Sequence, residues 1–309
     1  MSSGANDQKS AVELWYGARK QMPQSPATAE VAKQSSGMKI AIQGEPGSFS
    51  HQAAMNLDAA AAIVPYSLSA DVFNALSDGT VDAAVIPIEN SLAGSVLEHF
   101  DLLLTHDVKV ERETLLRIRH NLITLAGTTI PDIQRVFSHP VALAQCRRFL
   151  AAHPAMEAFA FYDTAGSVKQ LMELRDGQAA AIASEAAARH YGARILQANI
   201  EDNPENFTRF FLVRRTRDAV ADPRSNKISV AFSLENHPGS LVAALAELSA
   251  IGTNLTKIES RPVQGKPWEY IFYVDCQMGS AEEGERALDA LRPHCAMVKE
   301  LGRYQEALS

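Results

Sequence analysis

The sequence predicts an α/β protein with two successive lobes, followed by a smaller βαββαβ unit. Short apolar runs alternate with amphipathic segments from Met38, and the same alternation restarts at Leu122. A strictly alternating strand pattern then begins at Ile228. Alternating short strands and helices are typical of parallel sheets covered by helices on both faces. Two successive sets therefore predict two lobes with a cleft between them.

The first lobe is predicted to begin at Met38 and to end near residue 118. Its expected strands are residues 38–43, 64–66 and 83–88, its expected helices 49–57, 71–78 and 97–105, and extended chain follows at 108–118. Ser69 is expected to cap the second helix at its start, and Gly79 follows the end of that helix. Ligands bind such sheets at loop ends, near helix N-termini.

The second set of elements runs from residue 122 to residue 213. Its expected strands are residues 135–137, 159–162, 179–183 and 208–213, and its expected helices are 141–150, 167–174 and 185–190. Residues 215–226 are polar and contain Pro223, which predicts a linker.

The pattern after the linker predicts a ferredoxin-like βαββαβ unit at residues 227–304. Alternating apolar residues predict a half-buried strand from Ile228 to Leu234, and Leu241, Leu245 and Leu248 lie on one helical face. The remaining expected elements are strands at 255–260 and 270–276, a helix at 282–291 and a strand at 296–301.

Composition excludes several classes of protein. The chain has 309 residues, of which 46% are hydrophobic, and a formal net charge of −7, so neither nucleic acid nor a membrane is expected as a partner. No apolar run has the length of a membrane span, and residues 1–37 lack the apolar segment of a secretory signal. We therefore expect a cytoplasmic protein with a flexible N-terminal arm at residues 1–37.

Six short motifs follow one another along the chain. They are Gly44-Glu45-Pro46-Gly47-Ser48-Phe49-Ser50-His51, Pro87-Ile88-Glu89-Asn90-Ser91, Ser138-His139-Pro140 with Gln145-Cys146, Asn206-Phe207-Thr208-Arg209-Phe210, Pro238-Gly239-Ser240-Leu241-Val242 and Glu259-Ser260-Arg261-Pro262. In this order the first four resemble the prephenate dehydratase family. The last two resemble the ACT regulatory domain that is fused to these enzymes.

The resemblance implies a fold, a domain organisation and a reaction. Residues 38–214 would form a two-lobed catalytic domain like the type II periplasmic-binding-protein folds, and residues 227–304 an ACT domain. Prephenate would be converted to phenylpyruvate in L-phenylalanine biosynthesis by a homodimer or homotetramer that L-phenylalanine regulates by feedback. Some relatives carry a chorismate mutase domain, for which the 37-residue arm is too short, so a monofunctional enzyme is expected.

The chemistry of this reaction requires little from the protein. Loss of CO2 and hydroxide makes the prephenate ring aromatic, so no metal, cofactor or covalent nucleophile is needed. The loop at Gly44 also lacks the glycine and lysine patterns of nucleotide-binding loops. Two tasks remain, namely protonating the leaving hydroxyl and holding two carboxylates in register. The resemblance assigns the proton donor to Thr208, which as an isolated residue would be an ordinary strand threonine.

Eight further residues are expected to bind the substrate. They are Ser48, Asn90, Ser91, Ser138, Gln145, Thr164, Arg209 and Phe210. Each has a structural alternative, because Asn, Ser and Thr also cap helices and form turns, and Arg209 can equally pair with a carboxylate of the protein. Phe210 is expected to pack beneath the site, and Pro140 to open the helix that carries Gln145.

The expected phenylalanine site lies in the C-terminal unit. Its residues are Asn236, Pro238, Gly239, Ser240, Leu241, Val242, Glu259, Ser260, Arg261 and Pro262. The start of the helix at Ser240 suits a carboxylate, and Glu259 suits an α-amino group unless it pairs with Arg261. Family members commonly have alanine where this chain has Ser240, which leaves the choice of effector open.

Two other functions fit parts of the sequence. Arogenate carries an amino group in place of the keto oxygen of prephenate, so an arogenate dehydratase would form phenylalanine directly. A non-catalytic two-lobed module that binds a small molecule is the second alternative. That module predicts an export signal or a DNA-binding domain, and it gives Thr208 and Arg209 no role.

Overall fold

The computed structural model of the protein describes residues 37–263 and 269–307. The strands are β1 (Lys39–Gln43), β2 (Ala62–Tyr66), β3 (Ala83–Asn90), β4 (Gly94–Ser95), β5 (Val108–Arg117), β6 (Asn121–Thr124), β7 (Arg135–Ser138), β8 (Glu157–Ala160), β9 (Ala179–Ala183), β10 (Arg194–Gln197), β11 (Phe207–Arg215), β12 (Lys227–Ser233), β13 (Leu255–Pro262), β14 (Tyr270–Gln277) and β15 (Met297–Tyr304). The helices are α1 (Phe49–Leu57), α2 (Ser69–Asp78), α3 (Leu97–Thr105), α4 (Pro140–Ala144), α5 (Arg147–Ala152), α6 (Thr164–Leu174), α7 (Glu185–Tyr191), α8 (Ser240–Ala250) and α9 (Ala281–Leu291).

The first lobe is built on five main strands in the order β2-β1-β3-β11-β5. Strand β1 is parallel to β2 and β3, whereas β11 is antiparallel to both of its neighbours. The strand β11 enters this sheet from the second lobe. The first lobe is therefore completed only after the chain has built the second one.

The second lobe repeats this arrangement with strands in the order β8-β7-β9-β6-β10. Strand β7 is parallel to β8 and β9, and β6 is antiparallel to β9 and β10. Each lobe thus contains one antiparallel strand that has just crossed from the other. This topology confirms the predicted two-lobed α/β fold of the type II periplasmic-binding-protein kind.

The C-terminal unit, residues 227–304, has the predicted βαββαβ order. Its antiparallel strands are arranged β13-β14-β12-β15, and β15 continues into the first-lobe sheet through a single register pair of Gly302 with Val110. A side-chain carbon at Gly302 would lie 2.1 Å from the carbonyl oxygen of Val110, so only glycine permits this approach. The unit also shares a core with the first lobe, where Tyr273 lies 4.9 Å from Phe100 between ring centroids.

Some expected elements differ from the structure. The helix expected at 141–150 is two short helices, α4 and α5, because the chain breaks at Gln145. Ser69 is the first residue of α2 and not its cap, because its hydroxyl oxygen is 3.0 Å from His99 Nε2. Strands β4, β6 and β10 were not predicted.

The predicted arm lies outside the described residues except for Gly37. None of the helices in residues 37–263 and 269–307 is both long and apolar enough to cross a membrane.

Candidate active site

Two segments connect the lobes, residues 118–120 and 198–206, and they are hydrogen-bonded to each other. The amide of Ile118 donates to the Asn206 carbonyl at 2.7 Å, and the amide of Ile200 donates to the His120 carbonyl at 2.8 Å. Strand β11 begins directly after the second segment, and β6 directly after the first. Residues beside these crossings are therefore held by both lobes. We call Asn90, His120, Gln145, Asn206 and Thr208 the interlobe site.

Asn90, at the end of β3, holds the Thr208 side chain. Its Nδ2 donates to Thr208 Oγ1 at 2.9 Å and to Asn206 Oδ1 at 2.7 Å. Its Oδ1 accepts from the backbone amides of Leu92 and Ala93 at 3.0 and 2.8 Å, which fixes the orientation of the amide group. Within the described residues the Thr208 hydroxyl has no acceptor, so its proton is available to a bound molecule.

Gln145 connects the second lobe to the hydrogen bonds of Asn90 and Asn206. It caps the end of α4, at the break before α5. Its Nε2 donates to Asn90 Oδ1 at 3.3 Å, and its Oε1 accepts from Asn206 Nδ2 at 2.9 Å and lies 2.8 Å from His120 Nε2. Because an amide oxygen only accepts, His120 carries its hydrogen on Nε2. Burial lowers the pKa of His120, which favours the neutral ring.

Ser91 and Ser138 are bonded to backbone groups. Ser91 Oγ donates to the Glu205 carbonyl and accepts from the Phe207 amide, both at 3.0 Å, and thereby joins β3 to the start of β11. Ser138 Oγ donates to the Ile182 carbonyl at 2.5 Å and is completely buried. Ser91 lies in the turn after β3, as its structural alternative predicted, whereas Ser138 caps no helix because His139 is the cap of α4. Contact of either residue with substrate stays a prediction.

The loops before α1 and α6 meet across the two lobes. Ser48 caps α1 by accepting from the His51 amide at 3.3 Å. Thr164 is the first residue of α6, and Asp163 is the cap of that helix, so the alternative role of Thr164 as a cap is wrong. A side-chain carbon at Gly44 would lie 2.7 Å from Asp163 Oδ2. The N-termini of α1 and α6, one from each lobe, thus lie near the same contact, which we call the seam between the lobes.

Asp163 is enclosed at this contact between the lobes. Burial raises the pKa of its carboxyl group to about 6, and the nearby Glu45 adds to the rise, while the hydrogen bond from the Gly166 amide at 2.7 Å opposes it. Glu45 itself accepts from Tyr162 at 3.0 Å and pairs with Lys169 at 3.2 Å. Polar groups of the second lobe therefore hold the Gly44 loop of the first.

Arg209 and Phe210 do not join the interlobe site. Arg209 Nη2 donates to Asp275 Oδ2 at 2.6 Å, and its Nε lies 3.6 Å from Glu113 Oε2, so the alternative of a pair within the protein is formed and contact with a substrate carboxylate stays a prediction. Successive strand residues point to opposite faces, and Thr208 already faces the site. Phe210 is buried among the core residues Ile42 and Ala53, in agreement with packing beneath the site.

His120, Asn206 and Asp163 belong to these contacts, although the sequence had not singled them out as site residues. No partner of His120 is visible from the sequence, because Gln145 is 25 residues away in the chain. Asn206 belongs to the motif that contains Thr208, but its position in that motif does not show its contacts with Asn90 and Gln145. An aspartate before a helix is a common cap, and this was the available signal for Asp163.

The fold and the interlobe site define an enzyme that binds a small polar molecule between two lobes. The described residues contain no cluster of three or more His, Cys, Asp or Glu that could hold a metal ion. The groups available are one hydroxyl with a free proton, the three side-chain amides of Asn90, Gln145 and Asn206, and a neutral imidazole.

Comparisons with known proteins identify the family. The sequence model of the family described as prephenate dehydratase matches residues 40–218. Arogenate dehydratase/prephenate dehydratase 2 of Arabidopsis thaliana is 39% identical over 285 residues, which cover 89% of this chain and 74% of the relative. The solved structure of a prephenate dehydratase from Arthrobacter aurescens in complex with L-Phe is 31% identical, with a TM-score of 0.80, and covers 87% of this chain and 90% of that one. The chain belongs to the prephenate dehydratase family.

One further solved structure bears another description. It is GqqA, described as a novel type of quorum quenching acylase, which is 31% identical with a TM-score of 0.79, and the match covers 86% of this chain and 97% of that one.

The raised pKa of Asp163 makes stability depend on pH. Unfolded Asp163 releases its proton near pH 3.8, whereas the folded residue keeps it to about pH 6, so stability falls as the pH rises through this window. Asp163→Asn keeps a helix cap but does not titrate. We expect the free energy of unfolding of the variant, relative to wild type, to rise by roughly 2–3 kcal/mol between pH 4 and pH 7. Urea unfolding at several pH values measures this difference, and a constant difference would contradict the assignment.

Proposed function

We propose that the protein catalyses the decarboxylating dehydration of prephenate to phenylpyruvate, carbon dioxide and water. The observation that carries the proposal is the Thr208 hydroxyl, which accepts from Asn90 at 2.9 Å and has no acceptor for its own proton in the described residues. A general acid must be able to give its proton to the substrate, and this hydroxyl meets the requirement. Membership of the prephenate dehydratase family supports the same reaction.

The electrons and the proton balance without a cofactor. The bond between the ring and its carboxylate breaks, and its electron pair enters the ring as the C4 hydroxyl departs. The departing hydroxide takes the Thr208 proton and leaves as water. The Asn90 amide, which donates to Thr208 Oγ1, stabilises the negative charge that develops on this oxygen, and water then returns the proton.

The two carboxylates of prephenate also have to be held in place for this step. We assign them to the seam between the lobes, where α1 and α6 begin beside Ser48 and Thr164 and the helix dipoles favour negative charge. Asn90, Ser91, Ser138 and Gln145 are the remaining polar contacts of the proposal, and Phe210 supports the ring pocket from below. Holding both carboxylates keeps the C4 hydroxyl opposite Thr208.

An acylase activity has less support from the site. Acyl transfer to a protein nucleophile requires a base beside that nucleophile. Thr208 Oγ1 instead contacts an amide donor, and in the described residues no base is bonded to it. Arogenate differs from prephenate only at the side-chain nitrogen, so it remains the alternative substrate.

Turnover of purified protein tests the proposal. We expect prephenate to be converted to phenylpyruvate in the presence of a chelator, because no step needs a metal. Absorbance of phenylpyruvate in alkali follows the reaction, and arogenate assayed beside it defines the preferred substrate. If the protein turns over neither compound, the proposed function is wrong.

Thr208→Val should remove the proton donor while keeping the volume and the strand preference. We expect kcat to fall by roughly 10²-fold or more, with a much smaller change in KM, because the lost interaction acts mainly in the transition state. Thr208→Ser is the matched control, since it keeps a hydroxyl, and it should retain more activity. Steady-state kinetics measure both variants. A valine variant with normal kcat would exclude Thr208 from the chemistry.

We further infer that residues 227–304 form an ACT domain that binds L-phenylalanine, and that this binding lowers the rate of the dehydration. The Arthrobacter aurescens relative has L-Phe bound, which supports this inference. Gly239 caps α8 with a positive φ of 89°, and the proposed site surrounds this turn and the end of β13. The remaining residues of the site are Asn236, Pro238, Ser240, Leu241, Val242, Glu259, Ser260, Arg261 and Pro262.

Three of these side chains already have partners in the structure. Ser240 Oγ bonds to His237, with 2.8 Å to the ring nitrogen and 3.0 Å to the carbonyl. Glu259 accepts from Ser95 Oγ at 2.6 Å, and Arg261 pairs with Asp101 of α3. The alternative pairing of Glu259 with Arg261 is therefore not formed. Strand β13 is an edge strand on which Ile258 is exposed, which favours a dimer in which a second copy completes the site.

Phenylalanine should bind the full-length protein and lower its turnover. Ser240→Ala should change the dissociation constant by less than about threefold, because the hydroxyl is bonded within its own turn. Calorimetry measures binding, with tyrosine as the comparison ligand, and light scattering of the same sample reports whether it is at least dimeric. Equal rates with and without phenylalanine would contradict the regulatory assignment, and a monomer at all micromolar concentrations would contradict the shared site.

A further inference from the structure

Strands β3 and β11, which carry Asn90 and Thr208, contain a second cross-strand pair one residue away from the interlobe site. In the register of β11 with β3, Thr208 lies opposite Asn90 and Arg209 lies opposite Glu89. Because strand residues alternate between faces, Arg209 and Glu89 point away from the hydrogen bond between Thr208 and Asn90. Both are charged, with opposite signs, and both have partners in the C-terminal unit.

Arg209 is bound to β14 by a buried ion pair. Its Nη2 donates to Asp275 Oδ2 at 2.6 Å, and the two side chains are 8% and 4% exposed. Asp275 is fixed in turn by Ser229 Oγ of β12, which donates to its other oxygen at 2.5 Å. Glu113 of β5 is the second carboxylate near the guanidinium, at 3.6 Å. Arg209 thus depends on the C-terminal unit for its closest neutralising partner.

Glu89 is bound to β13 by a second ion pair. Its carboxylate pairs with Lys257 Nζ, which also donates to Ser95 Oγ of β4 at 2.8 Å. Ser95 lies opposite Glu89 in the short pairing of β3 with β4, and it donates to Glu259 at 2.6 Å. The strand that carries Glu259, part of the proposed phenylalanine site, therefore contacts the residue next to Asn90.

We propose that Asp275 and Lys257 are positioning residues of the dehydration, acting through Arg209 and Glu89 on the hydrogen bond between Asn90 and Thr208. The inference rests on the proposed function. Each ion pair fixes one of the two strands, so together they set the relative position of the two strand ends. A displacement of about 1 Å at a reacting group is enough to cost roughly 10²-fold in rate. The C-terminal unit is then a component of the catalytic geometry.

The structure offers a control that separates positioning from simple attachment. Lys109 of β5 and Glu300 of β15 form an ion pair at 2.9 Å that also joins the C-terminal unit to the first lobe. Lys109 lies opposite Arg214, six residues along β11 from Thr208, which is about 20 Å. Breaking this pair weakens the attachment of the C-terminal unit to the first lobe but leaves the ends of β3 and β11 at the interlobe site in place.

The experiment compares Lys257→Met, Lys257→Arg, Asp275→Asn and Glu300→Gln in the full-length protein. We expect Lys257→Met and Asp275→Asn to lower kcat for prephenate by about tenfold or more with KM within about twofold, because positioning affects the transition state. Lys257→Arg keeps the charge and should keep kcat, and Glu300→Gln should be close to wild type. Unfolding midpoints are measured for all four. If Asp275→Asn does not fold, the Lys257 variants alone decide the result.

A double variant tests whether Lys257 affects kcat through the position of the Thr208 hydroxyl. Lys257→Met should cost much less in a Thr208→Val background than in wild type, because the hydroxyl that it positions is absent. Equal losses in both backgrounds would overturn the proposal, as would a kcat for Lys257→Met equal to that of Glu300→Gln. Failure of wild type to turn over prephenate and arogenate would instead refute the proposed function, so the two failures are distinguishable.

Discussion

The structure depends on the pairing of β11 on both of its edges. This strand returns from the second lobe and lies between β3 and β5, antiparallel to each. A strand held on both edges cannot shift its register without breaking two ladders. Thr208, its second residue, therefore has a fixed position relative to Asn90, and the interlobe crossing delivers Asn206 to the same place. The sheet thus fixes the register of the hydroxyl that the chemistry uses, and the ion pairs of Arg209 and Glu89 hold the ends of the two strands.

The interlobe site is neutral, although its proposed substrate carries two carboxylates. Its members are a hydroxyl, three amides and an imidazole whose pKa is lowered by burial. A charged acid would form an ion pair with a carboxylate of the substrate and be held away from the leaving group. Neutral donors avoid this competition, and their hydrogen bonds become stronger as negative charge develops on an oxygen during the reaction. The two strands that carry Thr208 and Asn90 have charged residues on their opposite face, at Arg209 and Glu89.

Much of this arrangement could be predicted from sequence. Both lobes, the βαββαβ unit and the placement of Thr208 and Asn90 at strand ends follow from periodicity and from the motifs. Thr208 and Arg209 were both expected at the site, but successive strand residues face opposite ways, and only Thr208 contacts Asn90. His120 and Asp163 could not be found in this way, because their partners Gln145 and Gly44 are distant in the chain. The break at Gln145 depends on three-dimensional contacts as well.

The join between β15 and β5 has a mechanical consequence. It is one register pair wide, at Gly302 and Val110, and the backbones approach so closely there that no side chain fits. A single backbone pair fixes the distance between the two halves of the sheet but does not by itself fix the angle between them. That angle is set by the side chains on either side of Gly302, which include the core shared with the first lobe and the ion pair of Lys109 with Glu300.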